Sequence, residues 1–174
     1  MAILNGDTLI VIDMQNDFID GALGSPEAVA IVPNVKKKIE EYRKRGKQII
    51  FTQDTHFDDY LETLEGQHLP VEHCILDTHG WELADGIDIH DEDFWFHKYQ
   101  FGVVDWLDAP IKGDVEMVGL CTDICVISNA LILKSQCRER EITVDASCCA
   151  GTTPENHKAA LQVMKSCQIN VIGE

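Results

Sequence analysis

Val118-Gly119-Leu120-Cys121-Thr122-Asp123-Ile124-Cys125-Val126 joins an apolar run that reads as a strand to a helical stretch carrying Cys125 in its first turn. The same alternation recurs along the chain. Strand-like runs fall near 8–13, 48–52, 94–97, 114–119, 141–146 and 169–172, with amphipathic helical stretches between most of them. That is the pattern of an α/β domain with a mainly parallel six-stranded sheet.

The helical stretches carry their own end signals. A helix is expected near 33–45, where Val32, Val35, Ile39 and Tyr42 recur at helical spacing with basic residues opposite, and Gly46 supplies a C-terminal cap. A second helix is expected over about 122–137. A third starts with Thr153 as N-cap and Pro154 at the first position, with Ala159, Leu161, Val163 and Met164 inside it. A short helix is expected near 101–108. Between Gln53 and Trp95 the periodicity fails, and five of the seven histidines fall there: His56, His68, His73, His79 and His90. Loops of that length inside a compact domain are functional or disordered.

Size and composition narrow the classes. The 174 residues fit a single domain, 1–174, able to bury about 70% of the surface its unfolded chain would expose. Seven cysteines, an adjacent Cys148-Cys149 pair and no signal-like N-terminus indicate reduced thiols and a cytoplasmic protein. No stretch approaches the ~18 apolar residues of a membrane span. Fourteen Lys and Arg stand against 30 Asp and Glu, a net charge of −16, which opposes binding to nucleic acid or anionic membranes. The same field favours a neutral substrate over a highly anionic one.

In an open parallel sheet the carboxyl ends of the strands meet at one edge, and ligands bind in the crevice beside it. Asp13, Asp54, Lys98 and Cys125 all lie at or just beyond such an end. A thiol at a helix start faces unpaired N–H groups and the positive end of the dipole, which favour thiolate and can hold an oxyanion. Asp13 can take the thiol proton and deliver it to a departing amine. Lys98 should lower the pKa of both neighbours. Backbone N–H groups of Cys121 and Cys125 would form the oxyanion hole, at ~3 kcal/mol for each donor. The bland alternatives are a turn-capping Asp13, a solvated Lys98 and a Cys125 packed as a small hydrophobe. Two neighbours oppose the catalytic reading: Thr122 is placed to cap the Cys125 N–H, and Asp123 disfavours a thiolate.

Asp54-Thr55-His56 follows the strand of 48–52, and Glu65, His68 and His73 lie within the next twenty residues. Such mixed donors suit one divalent metal ion, Zn²⁺, Fe²⁺ or Mn²⁺, with a solvated polar loop as the alternative.

Taken together, Ile12-Asp13-Met14-Gln15-Asn16-Asp17-Phe18, Gln53-Asp54-Thr55-His56, Pro70-Val71-Glu72-His73, His97-Lys98 and the Gly119 to Val126 run resemble the isochorismatase-like cysteine hydrolase family, in its nicotinamidase/pyrazinamidase branch. The resemblance spans nearly the whole chain. It implies a three-layer, Rossmann-like fold with the sheet flanked by helices. It implies Asp13, Lys98 and Cys125 as catalytic triad, and a non-proline cis peptide between Leu120 and Cys121. It also implies a metal held by Asp54, His56 and His73 with one further ligand, assigned to Glu65, with His68 as competitor and Glu62 behind it. Phe18, Leu69 and Tyr99 stand at positions resembling the substrate-binding walls, Leu69 being aliphatic where relatives carry an aromatic ring. The implied reaction is hydrolysis of a small carboxamide, nicotinamide first, by a homo-oligomeric amidohydrolase of NAD salvage. Another small carboxamide or ureido substrate, and a non-catalytic binding module on the same fold, are the competing readings.

Overall fold

The computed structural model describes residues 6–174. Residues 1–5, the start of the expected domain 1–174, lie outside the described residues. The elements are β1 (Thr8–Ile12), α1 (Asn16–Ile19), α2 (Pro26–Lys44), β2 (Gln48–Asp54), α3 (Leu64–His68), β3 (Phe94–Lys98), β4 (Val115–Leu120), α4 (Ile127–Gln136), β5 (Ile142–Ala150), α5 (Pro154–Ser166) and β6 (Asn170–Ile172). All six strands pair parallel, in the order β3-β2-β1-β4-β5-β6.

Every residue of β1, β2 and β4 is buried, as expected for strands covered on both faces. The two-residue period sorts their side chains into two cores. Leu9, Val11, Ile49 and Phe51 pack with Val35, Ile39 and Tyr42 of α2. Ile10, Ile12, Ile50 and Met117 pack with Ala130 and Leu133 of α4 and Leu161 and Met164 of α5. Helix, sheet and helix are therefore three layers.

The elements depart from the sequence expectation at their ends. α2 begins at Pro26 rather than near 33, because Ser25 accepts the Ala28 N–H and Pro26 occupies the first turn; Pro33 is carried inside the helix. The stretch expected to be helical near 101–108 is one 3₁₀ turn, Trp106–Asp108. The segment read as aperiodic contains a 3₁₀ turn, Tyr60–Glu62, and α3, too short for a periodic signal. α5 starts as expected, Thr153 accepting the Asn156 N–H. Gly119, at φ +122°, lets β4 run against β1, since a Cβ there would collide with the Ile12 carbonyl.

Beneath α2 the sheet holds a buried polar knot. Lys38 Nζ lies 2.6 Å from Glu116 Oε1 and 2.8 Å from Asp145 Oδ2, and Tyr42 donates to Glu116 Oε2 at 2.7 Å. Burial alone would raise the Asp145 carboxyl, but hydrogen bonds from Lys38 and Ser147 outweigh it and hold it below its ordinary value. A carboxyl lowered by folding stabilises the fold above its unfolded pKa, and that contribution is lost as pH falls through the folded value. Lys38→Met should therefore cost about 3 kcal/mol near neutrality by leaving buried carboxylates short of a cation. Urea unfolding should show the gap to wild type narrowing toward about pH 3; a gap independent of pH would remove the ion pair as its cause.

Candidate active site

The register of the parallel strands brings the expected residues to one edge. Ile12 pairs with Thr52 and with Gly119, and Asp54 pairs with Lys98. Asp13, one residue beyond β1, has φ +46°, a left-handed conformation that aspartate tolerates better than most residues. Its N–H donates to Thr52 O at 3.2 Å, and Thr52 Oγ1 donates to Asp13 Oδ1 at 2.6 Å. Lys98 Nζ then lies 2.7 Å from Asp13 Oδ2, 2.8 Å from Asp54 Oδ1 and 3.4 Å from Cys125 Sγ. All four residues are buried. Asp13 Oδ2 meets the Lys98 ammonium group from a buried position, and a carboxylate oxygen with a second lone pair can take a further proton.

Cys125 sits in a π-helical turn, Thr122–Val126, that leads into α4, and the Leu120–Cys121 peptide is cis. Ile124 N and Val126 N both donate to Cys121 O at 3.1 Å, while the Cys121 N–H has no backbone acceptor among the described residues. Asn129 Nδ2 donates to Cys125 O at 2.8 Å. Thr122 does not cap the Cys125 N–H: its hydroxyl pairs with His157 Nδ1 at 2.8 Å. Asp123 turns toward Thr152, accepting its N–H at 2.8 Å. Both neighbours that opposed the catalytic reading are thus engaged elsewhere.

The electrostatics correct one expectation. Burial pushes the Cys125 thiol well above its ordinary pKa, with Lys98 opposing and Asp13 and Asp54 adding to the rise. Burial likewise raises Asp13, against the pull of Lys98. Lys98 does not bring either neighbour below its ordinary value, because desolvation in a closed site exceeds one shared cation. For Lys98 itself, burial would favour the neutral amine, but the carboxylates of Asp13 and Asp54 outweigh it and keep the amine charged. Cys125 is thus held as a thiol beside an Asp13 carboxyl of raised basicity, a pairing suited to proton transfer.

Asp54, His56, Glu65 and His73 converge next to this cluster, each offering a ligand atom within 4.8 Å of the others. His56 Nε2 is 3.1 Å from Asp54 Oδ2 and 3.7 Å from Glu65 Oε1; His73 Nε2 is 3.8 and 3.9 Å from the same two oxygens. Two atoms each ~2.1 Å from one ion lie about 3 to 4 Å apart, so the four donors fit a single dication. His73 Nδ1 donates to Val71 O at 2.8 Å, which leaves the Nε2 lone pair facing the cluster. His68 lines the neighbouring cavity without joining the four.

Several supporting residues were not singled out in the sequence. Gln15 accepts the Asp54 N–H at 2.7 Å and donates to Asp54 O and Trp81 O at 2.8 Å, clamping the residue shared by Lys98 and the donor cluster. Thr52 and Asn129 hold Asp13 and the Cys125 turn. A buried polar residue just past a strand end, or facing an aspartate across two strand ends, is the signal that points to Gln15 and Thr52.

Cys125, Cys121, Asp54, Glu65 and His73 open into a cavity of about 680 Å³. Phe18, Leu69 and Tyr99 line it, and the Tyr99 ring stacks on Phe57 with centroids 5.8 Å apart. Leu23, Leu64, Phe101 and Ile124 add apolar wall that the sequence did not disclose.

A parallel α/β sheet with a buried Cys–Lys–Asp group at its carboxyl edge and a metal-type donor set beside it defines a narrow class of protein. The chain belongs to the isochorismatase family: the Isochorismatase domain model matches residues 7–173. It is 30% identical over 175 residues, 91% of this chain and 87% of the relative, to an Arabidopsis thaliana protein described as a probable inactive nicotinamidase. It is 25% identical to the nicotinamidase/pyrazinamidase of Mycobacterium tuberculosis, over 94% of this chain and 97% of that one. The crystal structure of the Pyrococcus horikoshii pyrazinamidase in complex with zinc superposes with a TM-score of 0.82 at 27% identity, covering 96% of this chain and 98% of that one. The family resemblance and the six-stranded fold read from the motifs are borne out.

Chelator-stripped protein should bind one equivalent of Zn²⁺ in a calorimetric titration. Glu65→Ala should weaken that binding by more than the ~10- to 100-fold that loss of an outer hydrogen-bond partner costs. Unchanged affinity in Glu65→Ala together with lost affinity in His68→Ala would transfer the fourth position to His68.

Proposed function

We propose that this protein is an amide-bond hydrolase of the nicotinamidase type, converting nicotinamide and water to nicotinate and ammonia. The observation that carries the reading is the three-way contact of Lys98 Nζ with Asp13, Asp54 and Cys125. It ties a nucleophile and its base to the donor cluster within one side chain's reach. The zinc complex of the Pyrococcus pyrazinamidase supports a metal-dependent chemistry at that cluster. When bound by Asp54, His56, Glu65 and His73, a divalent ion supplies a Lewis-acidic point that can orient a polar ring atom of the substrate.

The residues themselves account for the chemistry. Asp13 accepts the Cys125 proton as sulfur attacks the carboxamide carbon, so the thiolate exists only as it is used. Lys98, charged throughout, offsets the negative charge that passes from sulfur to oxygen. The carbonyl oxygen develops its charge beside the Cys121 and Cys125 N–H groups. When the C–N bond breaks, Asp13 returns the proton and ammonia leaves, giving a thioester. Water then attacks that thioester with Asp13 as base, the C–S bond breaks, and the acid departs as the thiol recovers its proton. Burial keeps Asp13 basic enough for both transfers.

A second reading has a specific observation behind it: Leu69 gives an aliphatic wall where a flat heteroaromatic ring would gain from stacking. Another small primary carboxamide is its substrate, processed by the same residues.

Ammonia release from nicotinamide should require both the loaded metal and Cys125. Cys125→Ala should lower kcat by at least ~10⁴-fold with an unchanged circular dichroism spectrum. Turnover surviving in Cys125→Ala would overturn the thioester route, and absence of turnover by zinc-, iron- and manganese-loaded protein would overturn nicotinamide as substrate.

A further inference from the structure

The cavity is larger and more apolar than the proposed substrate requires, and its walls change character from floor to mouth. At the floor, Cys125, Asp54 and His73 are 4%, 3% and 2% exposed. At the mouth, Leu64 is 71%, Leu69 38%, Tyr99 58% and Phe101 48% exposed. These four come from two segments that both line the cavity: Leu64 and Leu69 from α3 and the residue after it, Tyr99 and Phe101 from the stretch leaving β3. Singly exposed apolar side chains need no explanation, but four facing one cavity that contains the reactive thiol do. Nicotinamide has nine non-hydrogen atoms. Even at the ~30 Å³ that each water takes in the liquid, nine atoms fill under half of the 680 Å³.

Resting on the amidase reading, we infer that the mouth is a subsite for an apolar substituent. The preferred substrates are then primary carboxamides whose acyl part carries a hydrocarbon extension, the carboxamide at Cys125 and the extension between Leu64 and Phe101. The lips also carry Glu65 and His68 on α3 and Gln100 after β3, but the four apolar wall residues bear no charge, so an extension laid against them gains by desolvation rather than by pairing. The bond cleaved and the proton traffic are those of the parent amide.

The test compares kcat/KM for nicotinamide, 5-butylnicotinamide and the 5-(2-methoxyethyl) isostere, using metal-loaded full-length protein. Each fully buried methylene contributes about fourfold, so a half-buried butyl chain should raise kcat/KM at least tenfold, chiefly through KM, with a smaller gain for the ether. Leu64→Ser and Phe101→Ser should each cut the butyl-to-parent ratio severalfold. Turnover of nicotinamide with no gain, or a loss, on adding the butyl group overturns the subsite while leaving the amidase reading intact. Failure of all three amides overturns the nicotinamidase reading on which the subsite rests. Should the two serine variants shift the sedimentation coefficient while the butyl-to-parent ratio stays fixed, the mouth is a contact between copies of this chain and the subsite is overturned.

Discussion

Lys98 is the constraint on which the site depends. A buried ammonium group is costly unless its donors find acceptors, and Nζ finds Asp13, Asp54 and the Cys125 sulfur. Each acceptor lies at or beyond the end of a different strand, so satisfying this one cation fixes β1, β2 and β4 relative to β3. The register Asp54 opposite Lys98 makes the first of these contacts local, and the others follow from strand order. Lys98 also balances only part of the charge assembled around it. Asp54 and Glu65 face His56 and His73, and burial would favour neutral Asp54 were it not for the hydrogen bond from His56 and the proximity of Lys98. A donor set of two carboxylates and two imidazoles at 3 to 4 Å is electrostatically suited to a dication.

The price of that concentration of polar groups is support from behind. Gln15 uses its whole amide on Asp54 and Trp81, taking the place that a neighbouring strand's peptide would hold. Thr52 holds one oxygen of Asp13, which leaves the other turned toward Lys98 with capacity to accept a proton. Asn129 joins the Cys125 carbonyl to the Val103 N–H, pinning the turn that carries Cys125 to the loop after β3. These groups are satisfied polar residues in low dielectric, and each limits the positions available to a reacting atom.

Much of this was legible in the chain because strands and chemistry coincide. Continuous apolar runs ending in Asp13, Lys98 or the turn to Cys125 report both a parallel strand and what stands at its end, so the fold and the gathered residues followed from the same pattern. Glu65 was assigned by resemblance alone, and α3 places it beside His56 and His73, because five helical residues turn a side chain back without leaving a periodic signal. The cavity mouth was not legible: Leu64 and Phe101 lie in short irregular segments, where an apolar residue looks the same whether it faces solvent or a pocket. Nor was the protonation of Cys125, since a helix start and a nearby lysine argue for thiolate, and only the depth of burial reverses the balance.

The division between rigid and variable parts has a consequence for specificity. Asp13 and Cys125 are set by β1 and by the turn that follows β4, strands covered on both faces, and Lys98 is the buried last residue of the edge strand β3, held by its register with β2. The walls that meet the rest of a substrate come instead from the long connection between β2 and β3 and from the stretch after β3, where Leu64, Leu69, Tyr99 and Phe101 touch little of either core. Changing those side chains alters what fits without disturbing the register that builds the reactive group. In the proposed reaction an aliphatic Leu69 and an exposed Leu64 therefore bear on which amide reaches Cys125, while the geometry of Asp13, Lys98 and Cys125 bears on what happens there; a sheet edge with one chemistry can serve acyl groups of different shape.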